Sequence, residues 1–138
     1  MSQVGTVEAA LVAELLSEHG VPLEGDGQSD ELIVETAWAN NQGRSFYVVR
    51  NWFLLDIMLP SDVEDDLRAK GLQPTVVFAK TVVYDSRAEG SRAGVIRSSF
   101  QRVLDSYIFE SMNTSFFLAG PGKRKYVSLP ALLALENI

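Results

Sequence analysis

Thr75-Val76-Val77-Phe78-Ala79-Lys80-Thr81-Val82-Val83-Tyr84 is the stretch whose reading decides the fold. Eight of its ten residues are β-branched or aromatic, and it contains neither glycine nor proline. That content reads as one long strand with room for a bulge. Downstream, Gly94-Val95-Ile96-Arg97-Ser98-Ser99 is a second strand, reached through a polar turn over residues 86–93. Residues 106–110 and 114–118 form a hairpin around Met112-Asn113, and Gly120-Pro121-Gly122 turns the chain into a last strand over residues 123–127. Ser128 is a cap for a short C-terminal helix with Pro130 in its first turn.

Upstream, the hydrophobic period changes. Val7, Leu11 and Leu15 lie on one face with Val12 and Leu16, which predicts a helix over residues 6–19, closed by Gly20 and Pro22. Residues 31–40 fit either a helix or a strand, and the caps Ser29 and Asp30 favour the helix. Residues 45–50 form a strand that residues 52–59 continue past a bend or bulge at Asn51. Ser61 and Glu64 are spaced as a capping box that opens a helix ending at Gly71. Helices ahead of strands predict a single α+β domain over residues 1–138. Its parts are an N-terminal helix or helices, a mainly antiparallel β-meander curling into a partly closed barrel, and a short C-terminal helix. An open sheet with the N-terminal helix across one face is the alternative.

Composition removes several chemistries. A chain of 138 residues, 46% hydrophobic and 22% charged, supports one core and is too apolar for disorder. With no cysteine, disulfides, thiolate nucleophiles, zinc ribbons and iron–sulfur clusters are excluded. The single histidine, His19, sits at a predicted helix end and no Ser–Asp partner pattern points to it. Residues 23–30 lack the acidic positions of a calcium loop. Gly120-Pro121-Gly122-Lys123-Arg124-Lys125 lacks P-loop spacing and the hydroxyl residue after lysine. Asp62, Glu64, Asp65 and Asp66 read as an acidic first helical turn rather than a metal site. No cofactor and no catalytic constellation are expected. The longest apolar run, residues 52–59, contains Asp56 and falls well short of the ~18 residues that span a bilayer. No membrane partner and a cytoplasmic location are therefore expected.

Charge is segregated along the chain. The net charge of −6 divides into −9 through Leu72 and +3 from Gln73 onward. The basic residues Arg97, Lys123, Arg124 and Lys125 are candidate binding residues that could share one rim with Tyr107 or Tyr126. Alternation places Arg97 on an outer face opposite Ile96, with Glu110 as its expected cross-strand partner. Trp38, Trp52, Phe53, Phe116 and Phe117 read as core. The consecutive Phe116 and Phe117 must point to opposite faces, so one lies under a helix or in solvent.

Five stretches in order carry a resemblance: residues 46–52, 82–86, 94–99, 108–114 and 120–125. They resemble a family of small bacterial and prophage-associated proteins known only as a domain of unknown function, over roughly residues 40–130. The sequence departs from it at Val95, where an aromatic residue is expected, and at Ser98 and Ser111, where threonine is expected. The resemblance supplies no catalytic or binding residue and implies a bacterial setting in mobile DNA. The expected function is a non-enzymatic protein-binding or regulatory module whose acidic first half meets a basic partner protein. The alternative is a nucleic-acid-binding protein using the basic C-terminal half.

Overall fold

The most apolar stretch of the chain takes the central place in the sheet. Residues of both faces are buried along nearly the whole of β2 (Ser45–Met58), and a strand apolar on both sides needs a cover on each. The computed structural model describes Ala13 and residues 19–135. Before β2 come β1 (Val21–Leu23) and α1 (Asp30–Asn40); after it come α2 (Ser61–Ala69) and β3 (Thr75–Asp85). Short strands follow: β4 (Gly90–Arg92), β5 (Ile96–Arg97), β6 (Val103–Asp105), β7 (Ile108–Glu110) and β8 (Thr114–Leu118). The chain then enters β9 (Gly122–Ser128) and α3 (Leu129–Leu135).

One edge of β2 pairs antiparallel with β3, from Tyr47↔Asp85 to Asp56↔Thr75. The other edge is shared by two strands, both parallel to β2. The first half takes β8, ending at Val49↔Leu118, and the second half takes β9, starting at Phe53↔Lys123. β7 and β6 extend outward from β8, β1 from β9, and β4 and β5 from β3. The expected α+β fold of N-terminal helices and an antiparallel meander is therefore overturned. Among the described residues the protein is mostly β, 47% strand against 22% helix, a curled nine-stranded mixed sheet with three small helices. The physical reason is the two-faced burial of β2, which makes it central and gives its second edge to distant rather than adjacent strands. The helix expected over residues 6–19 lies outside the described residues, apart from Ala13 and His19.

The expected bend at Asn51 is present and makes the curl. Asn51 has φ 53 and donates from Nδ2 to Thr81 Oγ1 at 2.9 Å. Tyr47 and Val49 share an inner cluster with Trp52 and Leu54, so Arg50 and Asn51 are passed over in the alternation. Across the ladder, Ala79 and Val82 join the same cluster and Lys80 and Thr81 are passed over. A curled sheet has a longer outside than inside, and these two residue pairs supply the extra outer length. On the third strand the chain leaves the ladder between Leu118 and Gly122, with Gly120 at φ 65. That positive φ is a conformation L side chains rarely adopt, which leaves glycine as the residue that fits, with the tip of Arg50 close against it.

The inner face of the curl is filled by the cluster around Trp52, Leu54, Val77, Phe109, Phe116 and Leu118. Outside, α1 covers Phe46, Val48 and Phe117 with Ile33 and Ala37, while α3 covers Leu55, Ile57 and Val127 with Ala131 and Leu132. Phe116 thus points inward and Phe117 lies under a helix, as their succession requires. Trp38, expected in the core, is instead 46% exposed and donates its indole N–H to Tyr84 Oη at 3.1 Å. Ser29 caps α1 by accepting from Leu32 N at 3.3 Å. The capping box at Ser61 is corrected: the N-cap is Pro60, no side chain caps the helix, and Glu64 pairs with Arg68 at 2.9 Å. None of the described helices is long and apolar enough to cross a membrane.

Candidate functional site: a polar cleft where the inner face runs past its cover

Along the inner face of β2, Leu54 belongs to the core and the next inward residue, Asp56, does not. Here the sheet extends beyond the β6–β7 hairpin that covers its apolar part. The exposed continuation is polar: Asp56 on β2, Thr75 on β3, Arg124 and Tyr126 on β9. Walls rise from α2 through Glu64 and Arg68, and from the segment entering β6 through Gln101, Arg102, Val103 and Leu104. The open cleft between them measures about 740 Å³, within the range of ligand-binding sites.

A charge inside a central strand has to be paired, and Asp56 is fully engaged. Arg124 donates from Nε to Oδ2 and from Nη2 to Oδ1, both at 2.8 Å, and Thr75 Oγ1 donates to Oδ1 at 2.7 Å. Burial alone would raise the Asp56 carboxyl; the bonds from Arg124 and Thr75 and the arginine's charge outweigh it, leaving the group below its ordinary range. The Arg124 guanidinium is raised, first through its bonds to Asp56, against the opposing effect of burial. Two further arginines line the cleft with their own acids, Arg68 with Glu64 and Arg102 with Glu110 at 2.8 Å. Arg68 Nη1 also donates to Gln73 Oε1, so that guanidinium is committed on every side. Gln101 lines the cleft with its Oε1 buried and without a hydrogen-bond partner among the described residues. Apolar side chains mark the rim: Tyr126 is 76% exposed, and Met58 and Val103 are exposed beside it.

The basic residues singled out from sequence are divided between the two faces. Lys123 and Lys125 alternate with Arg124 along β9, so Arg124 enters the cleft and the lysines take the outer face. There Lys125 Nζ stands 5.2 Å and Lys80 Nζ 5.5 Å from the centroid of the Phe53 ring. A groove of about 240 Å³ beside them is lined by Asn51, Trp52, Phe53, Lys80 and Lys123 among others. Arg97 shares this outer face and this row: Lys123 pairs with Phe53, Phe53 with Phe78, and Phe78 with Arg97. Three strand spacings of ~4.8 Å separate the ends of that row, so Arg97 and Lys123 lie on the order of 14 Å apart. Tyr126 is on the opposite face from the lysines, so it does not join them in the expected rim of cations with an aromatic. The expected Arg97–Glu110 pair is likewise corrected. β5 pairs with β3 and β7 with β6 and β8, so the two residues share no ladder; Glu110 takes Arg102, and Arg97 Nη1 donates to Ser98 O at 3.0 Å.

Asp56, Gln101 and Arg102 were not among the residues singled out for binding, and Tyr126 was named only as a companion of the lysines. The available signal was Asp56, a lone acid within an apolar strand, since such a charge demands a partner nearby. No curated protein and no solved structure matches the chain. A family signature does match, over residues 24–134, further toward the N-terminus than the resemblance reached. The chain therefore belongs to the family described as Domain of unknown function (DUF6957).

Proposed function

We propose that the protein is a non-enzymatic protein-binding module and that the cleft at the end of β2 is its recognition site. The observation carrying this reading is Tyr126, 76% exposed, with Met58 and Val103 also exposed, at the edge of a cleft floored by a bidentate Arg–Asp pair. Tyrosine, methionine and arginine are enriched at protein interfaces and supply their strongest anchors. The acidic exposed side chains Asp62, Asp65 and Asp66 on α2 stand beside the cleft and favour a partner with basic residues around its inserted segment. The bacterial, mobile-element and cytoplasmic setting that the resemblance implies belongs to this proposal.

Nucleic-acid binding through Lys123, Arg124 and Lys125 has weaker support. Arg124 is held by Asp56 on the other face, and Phe53 beneath the lysines is only 4% exposed, too covered to stack on a base. Tyr126→Ser separates the readings. A bacterial host lysate treated with nuclease should yield a protein retained by the wild-type chain, lost by Tyr126→Ser and kept when Lys123 and Lys125 are both changed to Gln. Loss of retention only in the lysine variant, with a salt-sensitive gel shift on DNA or RNA, would overturn the proposal.

A further inference from the structure

Resting on that reading, we infer that the cleft receives an extended acidic peptide segment, with its carboxylate held by Arg102 and Arg124 and a backbone N–H given to Gln101 Oε1. The inference starts from which donors in the cleft are already used. Arg68 has its Nε and Nη2 on Glu64 and its Nη1 on Gln73. Arg124 gives Nε and Nη2 to Asp56, and its Nη1 is not part of that grip. Arg102 gives Nη2 to Glu110, leaving Nε and Nη1 outside the pair. Two of the three guanidiniums thus retain donor groups, and each is held in place by a carboxylate behind it. Fixed guanidinium donors are the arrangement that recognises a carboxylate. The lining residues carry three arginines against Asp56 and Glu64, and Glu110 behind Arg102 brings the acids to three, so the attraction for a carboxylate rests on the unused donors and not on net charge.

Gln101 supplies the complementary requirement. A buried acceptor without a donor is a standing cost, removed when a ligand brings an N–H. Gln101 main-chain groups are already committed, N–H to Thr75 O and C=O to Gln73 N, both at 2.8 Å, so the backbone is anchored and the carboxamide is the movable part. Its terminal torsion is soft, and a turn about it presents the oxygen to the cleft. A carboxylate together with an amide N–H is the chemistry of an acidic residue inside a peptide. β6, which continues from Arg102, ends its sheet path and has no strand on its second edge among the described residues, so an extended segment can lie alongside it.

The probe is N-acetyl-glutamate N-methylamide, titrated into the isotope-labelled full chain and followed by NMR. Saturable shifts are expected at the Gln101 carboxamide and at the Arg102 and Arg124 Nε–H signals. The neutral glutamine analogue should bind about tenfold or more weakly, the loss expected for one charge-assisted contact. Arg102→Met, at an exposed position, should weaken the acidic probe by a similar factor while leaving the thermal midpoint within a few degrees. Glutarate, which has carboxylates but no N–H, should bind more weakly than the amide probe. Equal binding of glutarate removes the role of Gln101 and overturns the inference, as do shifts confined to Lys80, Lys123 and Lys125 or the absence of saturation. If these fail while Tyr126→Ser still abolishes protein retention, the docking surface stands and the acidic-segment assignment falls.

Discussion

Replacing Asp56 by Asn tests how much the floor of the cleft contributes to the fold. The carboxylate accepts two bonds from Arg124 and one from Thr75 Oγ1. Asn keeps a single acceptor and turns an amide N–H₂ toward the guanidinium. Rupture of a fully buried pair costs about 3–5 kcal/mol, and an exposed pair contributes at most about 1 kcal/mol. The Asp56 side chain is 16% exposed and that of Arg124 37%, so the pair lies between these limits and solvent screening discounts the upper one. A loss of about 2 kcal/mol is expected in urea unfolding near neutral pH. The loss should depend on pH with a definite sign. Burial, which raises the carboxyl, is outweighed by Arg124 and Thr75, so the folded-state value lies below that of the unfolded chain. The stabilisation is complete above the unfolded value and is lost as pH falls through the lower folded one. Asp56→Asn should therefore cost most at neutral pH and progressively less in acid, as the pH falls through the lowered folded value. A double-mutant cycle with Arg124→Met should show coupling of about 1–2 kcal/mol at neutral pH. An equal loss at neutral and acid pH, or coupling below about 0.3 kcal/mol, would refute the reasoning.

Gly122→Ala should destabilise by about 1–3 kcal/mol, because the added methyl would enter the ring of Trp52; an unchanged thermal midpoint would contradict the packing. Trp52→Phe removes the indole N–H that reaches the carbonyls of Ala119 and Gly120 at 3.2 Å, and the urea midpoint should report a loss of about 1–2 kcal/mol. Ser29→Ala should cost about 1 kcal/mol through the lost cap of α1, whereas Ser61→Ala at the uncapped start of α2 should stay within about 0.5 kcal/mol. Denaturation of the two serine variants side by side checks this, and the reverse order would mean that α2 begins one residue later.

Local features were legible in sequence where a single residue type settles them. The strands on both sides of Asn51, the bend there, the Ser29 cap and the opposed Phe116 and Phe117 all follow from short-range stereochemistry. Strand partnership did not follow. A meander assumes that neighbours in sequence pair, whereas β2 gives one edge to β8 and β9, more than sixty residues away in register. The cue was present, since residues 46–57 are apolar on both faces and such strands belong in the middle of a sheet. The Ser61 box was misread because Pro60 supplies an equally good helix entry, and Glu64 finds a nearer partner in Arg68. At the site, Lys123, Arg124 and Lys125 looked like one basic cluster because sequence proximity conceals the alternation of a strand. The cleft joins residues from β2, α2, β3, β9 and the approach to β6, and such an assembly exists only once the pairing is known.

The corner at Asn51 makes this fold a poor host for single-residue length changes. Three strands turn in the same row, at Arg50-Asn51, at Lys80-Thr81 and at the excursion through Gly120. Deleting Asn51 alone would shift the second half of β2 by one step, turning Phe53, Leu55 and Ile57 inward and sending Leu54 and Asp56 out. Arg124 would then face a leucine or isoleucine instead of a carboxylate. A compensating deletion would be needed in β3 and another between β8 and β9 to restore the phase. Chains of this architecture should therefore vary in length in the turns around β4 and between β5 and β6, and keep the spacing from Phe46 to Asp56 invariant.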